Sequence, residues 1–233
     1  TDAGHTPGTR LVLVLLACGT GASDAFAFSQ LGGIFTANMT GNLVLAGLVS
    51  RPGWWPVTLS GATIATACFL TSAFAGFRIV RSARSVNASP APRLLIIVAA
   101  TQTGIAVAWS IAWGQDAPAV HLLFLAMSSA SLGLQTVAAK TLAPSSGITT
   151  TFMTGTLVTA VQSLAEGRRS GVGTALTAVA ALVVGAVAGG LTAAALPQLT
   201  PCVAAIVVTT AAIVATSSVR SKQPRQDPRE THS

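Results

Sequence analysis

The sequence predicts an all-α polytopic membrane helix bundle made of two sequence-related repeats. Three observations carry this. The 233 residues are 51% hydrophobic and only 8% charged, with a mean hydropathy of +0.68, where a soluble domain is about 25% charged. Apolar runs of membrane-crossing length recur along the chain. Residues 33–44, GIFTANMTGNLV, return at an offset of 114 as residues 147–158, GITTTFMTGTLV, with eight of twelve positions identical. The same ungapped offset pairs Gly19 with Gly133 and Gly76 with Gly190. A long unit present only twice points to two related halves of one membrane domain, not to a stacked solenoid.

Residues 1–10 are polar and expected to be disordered. Residues 11–28 form the first apolar segment, with a late break expected at Gly19, Gly21 and Asp24. Residues 31–50 form the second and carry the first motif copy, and residues 57–77 form the third. The basic linker 78–93 is rich in Ser, Asn and Pro and marks the hinge between halves. Residues 94–113 are the fourth segment, and a short link leads to the fifth, 120–139. The sixth, 148–164, carries the second motif copy; 172–196 and 202–219 are the seventh and eighth. The repeats are thus residues 11–113 and 114–219, followed by a disordered basic tail, 220–233. Ala, Gly and Leu dominate without alternation, so the spans are helices and not strands.

Eight segments need not cross eight times. With eight crossings and the tail inside, Arg78, Arg81, Arg84, Arg93 and Lys140 fall outside, giving eight basic residues inside against five outside. If segments two and six instead enter and leave on one side, only Arg51 is outside and twelve are inside. The second arrangement obeys the positive-inside rule. It gives each half three crossings, and therefore opposite orientations. The expected fold is six crossings plus two broken or re-entrant MTG segments; eight crossings with parallel 4+4 repeats is the alternative. Residues 31–50 are long enough to span, but the polar interior TANMTGN suits backbone covered by protein or water.

Trp54, Trp55, Trp109 and Trp113 sit at segment ends, as interfacial aromatics do. Small residues recur every fourth position at Gly173, Thr177, Ala181, Gly185 and Gly189, and at Thr63, Ala67, Thr71 and Ala75. Such stripes let helices approach closely.

Composition excludes several classes. The net charge of +7 lies in loops and the tail, so nucleic acid is not an expected partner. Cys18, Cys68 and Cys202 are odd in number and lie in apolar segments, which argues against a disulfide framework. His5, His121 and His232 are too scattered for a metal site, and no cofactor motif occurs. The first apolar run lacks a small-residue cleavage site and is read as part of the repeat, not a signal peptide. No paired carboxylates, Ser/His/Asp set or phosphate loop is present, so an enzyme is not expected.

Asp24 is the only acid inside an apolar segment. A charge there costs about 2.5–3.5 kcal/mol on insertion scales and marks a proton or cation site unless it caps a helix or sits at the interface. Asn38, Thr40 and Asn42 in one motif copy, and Thr150, Thr151, Thr154 and Thr156 in the other, offer amides and hydroxyls at membrane depth. Gly41 and Gly155 permit a break or close backbone approach. Gln135 is a weaker candidate of the same kind, as is Gln102. Lys140, near the counterpart of Asp24, either pairs with it or snorkels to the interface.

These motifs carry a resemblance. The run from Gly21 and Asp24 to Phe35, Ala37, Asn38, Met39, Thr40, Gly41 and Asn42, with Thr36 inserted, resembles the YoaK-like family of bacterial inner-membrane proteins, a domain of unknown function. Gly133, Leu134, Gln135 and the residues 150–155 resemble its later half, while Thr156 stands where many members carry asparagine. The resemblance covers about residues 11–219. It implies a multi-pass protein of the bacterial plasma membrane and names no substrate.

The leading expectation is a small-solute or ion transporter or channel with its site between the two MTG copies. The alternative is a non-transporting scaffold or accessory subunit using the small-residue stripes. Expected partners are the lipid bilayer, an unknown small solute or ion, and, as one option, a second copy in a homo-oligomer. The C-terminal tail is expected in the cytoplasm.

Overall fold

The structure is a computed structural model and describes residues 6–48, 56–83, 89–115, 117–144, 153–168 and 171–220. Among these the chain forms eight α-helices and no strand. They are α1 (Pro7–Gln30), α2 (Met39–Gly47), α3 (Pro56–Ala83), α4 (Ala91–Ala112), α5 (Pro118–Leu142), α6 (Met153–Ala165), α7 (Val172–Ala195) and α8 (Thr200–Arg220), with a 3-10 turn at Pro197–Leu199. Six are long and apolar enough to cross a membrane: α1, α3, α4, α5, α7 and, with the preceding turn, α8. The nine residues of α2 and thirteen of α6 reach only about 14 and 20 Å, short of a hydrocarbon core about 30 Å thick. Among the described residues, the helices of segments two and six are therefore the short ones.

The helix α1 starts at Pro7, inside the stretch expected to be disordered. Pro7 occupies the first turn, where a missing N–H costs nothing, and Thr6 Oγ1 accepts from Thr9 N at 3.3 Å. The break expected at Gly19, Gly21 and Asp24 does not occur; α1 is continuous. In hydrocarbon a break would free backbone groups with no water to receive them. Gly21 instead lets α1 lie against α7. A Cβ there would fall 2.0 Å from the Leu182 carbonyl oxygen, and one on Gly185 would fall 1.9 Å from that of Cys18.

Helix directions follow from the core. Val12, Leu13 and Leu16 of α1 pack with Val137, Ala138, Ala139 and Ala143 beside α8. Phe26 and Ala27 pack with Phe124 and Leu125 at the other end. Thus α1 and α5 are antiparallel. By contrast α7 runs parallel to α1, with Gly185 near Cys18 and Gly189 near Ala25. In the same way α3 runs parallel to α5, with Gly133 near Phe69 and Gly76 near Val137. Arg10, Arg81, Arg93 and Lys140 consequently share one end of the bundle, while Trp109, Trp113 and His121 share the other. Large apolar side chains such as Phe74, Ile111, Leu191, Ile206 and Ile213 point outward, as lipid-facing surfaces require.

Two packing expectations change. The stripe Thr63, Ala67, Thr71 and Ala75 faces outward; α3 packs inward through Ala62, Ala65, Phe69, Gly76 and Val80. On α7, Gly185 and Gly189 are buried while Gly173 and Thr177 are exposed. Trp109 is no interfacial anchor. It is 4% exposed, donates from Nε1 to the Pro197 carbonyl at 3.2 Å, and packs edge-on against Phe26 and Phe124. Trp54 and Trp55 lie outside the described residues.

Candidate functional site

Between α1 and α2 the chain must turn back at membrane depth with its polar groups satisfied. Gly32 and Gly33 make the turn at φ 93° and 76°, a region costly to other residues. Three side chains then bind the loop that follows. Asp24 Oδ1 accepts from Thr36 N at 2.7 Å, Thr36 Oγ1 at 2.8 Å and Ala37 N at 2.9 Å. Asn42 holds Phe35 at both backbone atoms: its Oδ1 accepts from Phe35 N at 2.9 Å and its Nδ2 donates to Phe35 O at 2.7 Å. Asn38 caps α2, its Oδ1 accepting from Gly41 N at 3.1 Å. The Phe35 ring stacks on Phe28 with centroids 5.1 Å apart. The polar run thus builds a compact re-entrant loop docked on α1.

Beside this loop lies a cavity of about 890 Å³. It is lined from α1 by Thr20, Gly21, Asp24, Ala25 and Phe28, and from the first motif by Asn38, Met39, Thr40 and Gly41. The second motif contributes Met153 and Thr154, and α7 contributes Leu182 and Ala186. Two stretches 114 residues apart in sequence therefore face one space. All hydrogen bonds of Asp24 among the described residues use Oδ1, leaving Oδ2 available to the cavity.

Of the residues expected at a site, Asp24, Asn38, Thr40, Gly41 and Thr154 line this cavity. Asn42 is fully buried behind it. Gln135 is also buried and touches the site indirectly: its Nε2 donates to Thr20 Oγ1 at 2.9 Å and to Leu16 O at 3.1 Å. Thr156 is buried on α6 outside the lining. Gly155 has open space where a Cβ would stand, so it makes no close approach here. Thr150 and Thr151 lie outside the described residues. Gln102 reaches Ser23 Oγ at 3.4 Å. Lys140 is exposed in the last turn of α5, while Asp24 is engaged by Thr36 and Ala37. Sequence reasoning missed Thr20, Phe28, Thr36, Met39 and Met153. The methionines carried a usable signal, since they occupy matching positions of the repeat.

Beyond the second motif, Glu166 accepts from Gln162 Nε2 at 2.8 Å and pairs with Arg168. The Gln162 bond first, then the nearby Arg168 charge, hold its carboxyl below the usual range. Both partners are solvent-exposed, so this pair adds little stability.

The two asparagines of the first motif should differ sharply on truncation. Asn42→Ala leaves a part-buried N–H and C=O of Phe35 unpaired and is expected to cost about 2–4 kcal/mol. Asn38→Ala removes one exposed cap and is expected to cost about 1 kcal/mol. Thermal unfolding of the two purified variants checks the order.

Residues 12–215 match the model of a family described as protein of unknown function (DUF1275). The chain is 29% identical over 153 residues to the UPF0700 transmembrane protein YoaK of Bacillus subtilis (strain 168). That alignment covers 66% of this chain and 66%, just under two thirds, of the relative. No solved structure matches the chain. The family match runs from the first turns of α1 into α8, through both MTG copies and the cavity between them, and the protein is a member of the DUF1275 family of transmembrane helical proteins of unknown function.

Proposed function

We propose that the protein is a small-solute or ion transporter or channel of the bacterial plasma membrane, with its site between the two MTG copies. The observation that carries this is the cavity itself, which gathers both copies and the Asp24 carboxylate. The helix arrangement supports it. The corresponding helices α1 and α5 are antiparallel, and the pairings of α1 with α7 and of α5 with α3 correspond under the offset of 114. Two inverted repeats would pack in this way, and transporters of that plan bind at the repeat interface beside broken elements. Arg10, Arg81, Arg93 and Lys140 at one bundle end favour a cytoplasmic position for that end and for the C-terminal tail.

The test is reconstitution into liposomes. Protein-containing vesicles should pass small solutes or ions faster than empty vesicles, in proportion to the protein added. Permeability equal to that of empty vesicles across inorganic ions, organic ions and neutral solutes removes the reading. One observation favours the scaffold alternative: the outward-facing small stripe on α3 offers a surface for another helix. A stoichiometric membrane partner purified with inert vesicles would support it.

A further inference from the structure

We propose that the cavity takes an organic monocation, an ammonium- or phosphonium-type ion with an apolar body. The inference rests on reading the cavity as a binding site and names what fits it. Charge comes first. Asp24 is the only ionisable side chain among the described lining residues, which include no Lys, Arg or His. The basic residues of the helices gather at the far end of the bundle. One carboxylate matches one positive charge and repels an anion.

Size favours a ligand larger than a bare inorganic ion. A space of about 890 Å³ is many times the share of one water, about 30 Å³. A hard metal cation needs about six or more oxygen ligands, and the described lining offers a single carboxylate. The walls give the apolar half of the match. Phe28 and Phe35 both line the space and stack on each other, so aromatic surface borders the carboxylate. Ring faces attract cations, above all large, weakly hydrated ones. Met39 and Met153 add polarizable thioethers from the two motif copies. A neutral apolar solute would cover Asp24 Oδ2 without giving it a partner, which is costly. A cation with an apolar body satisfies both surfaces.

The carboxylate is also held in place. Three donors fix Oδ1, so Oδ2 keeps its direction before any ligand arrives, and little ordering is left to be done on binding. Protons compete with the cation for this carboxylate, so affinity rises with pH.

The experiment uses the full chain in lipid nanodiscs and two probes of the same shape and opposite sign, radiolabelled tetraphenylphosphonium and tetraphenylborate. Equilibrium dialysis against empty nanodiscs removes partition into lipid. The expected result is saturable binding of tetraphenylphosphonium alone. Asp24→Asn, which keeps an oxygen for the loop donors, should weaken it by about tenfold or more. Thr154→Lys leaves the loop clamp untouched and sets a positive charge on the opposite wall; it should weaken binding similarly. Phe35→Ala should weaken it about threefold. Equal saturable binding of both probes, no saturable binding of either, or unchanged affinity in both charge variants overturns the proposal. Charge-selective binding without vesicle permeability leaves the cation site standing and removes transport. Permeability without charge-selective binding does the reverse.

Discussion

Gly185→Ala is expected to destabilise the bundle by about 3 kcal/mol or more, and Gly21→Ala by a similar amount. The added carbon would stand 1.9 Å from the carbonyl oxygen of Cys18 in the first case and 2.0 Å from that of Leu182 in the second. Both obstacles are backbone, with no rotamer to turn aside. To reach ordinary contact α1 and α7 must separate by more than an ångström, which strips dispersion contacts along the crossing. Lipid chains are as apolar as the side chains they replace, so close packing is the main force joining these helices. The intrinsic gain of Ala over Gly in a helix, about 1 kcal/mol, is too small to offset this. Gly104→Ala and Gly190→Ala supply the control. Neither position has an atom within 4 Å of the added carbon, so each should be neutral or stabilising by up to about 1 kcal/mol. Thermal unfolding of the four detergent-solubilised variants reads the difference. If Gly185→Ala melts with Gly190→Ala, the two helices do not approach as closely as described.

Those glycines also mark where reading the sequence fell short. Gly19 and Gly21 suggested a break, because glycine alone does not say whether it serves flexibility or proximity. The answer lies more than 160 residues away, at Leu182 of α7 for Gly21 and at Val208 of α8 for Gly19. The stripe Thr63, Ala67, Thr71 and Ala75 failed for a related reason: i, i+4 spacing identifies a helix face but not what that face meets. Trp109 followed its neighbours to a segment end, yet the Pro197 carbonyl and the rings of Phe26 and Phe124 draw it inside. What was legible rests on stronger constraints. A polar run inside an apolar segment cannot lie bare in lipid, and the basic residues favour one side. Together these marked α2 and α6 as short elements. The recurring motif pointed to two stretches that line one cavity. The clamp from Asp24 to Thr36 and Ala37 stayed hidden, because backbone N–H donors have no residue type to announce them. The bond from Gln135 to Thr20 joins positions 115 residues apart and leaves no local pattern.

Asp24 holds two roles on its two oxygens, and two substitutions should separate them. Asp24→Ala leaves the Thr36 N–H, the Thr36 hydroxyl and the Ala37 N–H without their acceptor. Thr36 and Ala37 are 0% and 4% exposed, so few other acceptors reach these donors. Each unpaired buried donor costs about 1–3 kcal/mol. The expected total of about 3–5 kcal/mol is a large share of a typical stability of 5–15 kcal/mol. Asp24→Asn keeps an acceptor at the Oδ1 position and should lose only about 1 kcal/mol, the difference between charged and neutral hydrogen bonds. Its amide nitrogen then replaces Oδ2 and turns a donor toward the cavity where a cation would have found an acceptor. The alanine variant should therefore melt far below the parent and the asparagine variant near it, while both lose cation binding. A folded asparagine variant with full vesicle permeability would confine Asp24 to fastening the loop. Equal melting of all three proteins would show that the loop is held by Asn42 and the Phe28–Phe35 stack, and that the carboxylate serves the cavity alone.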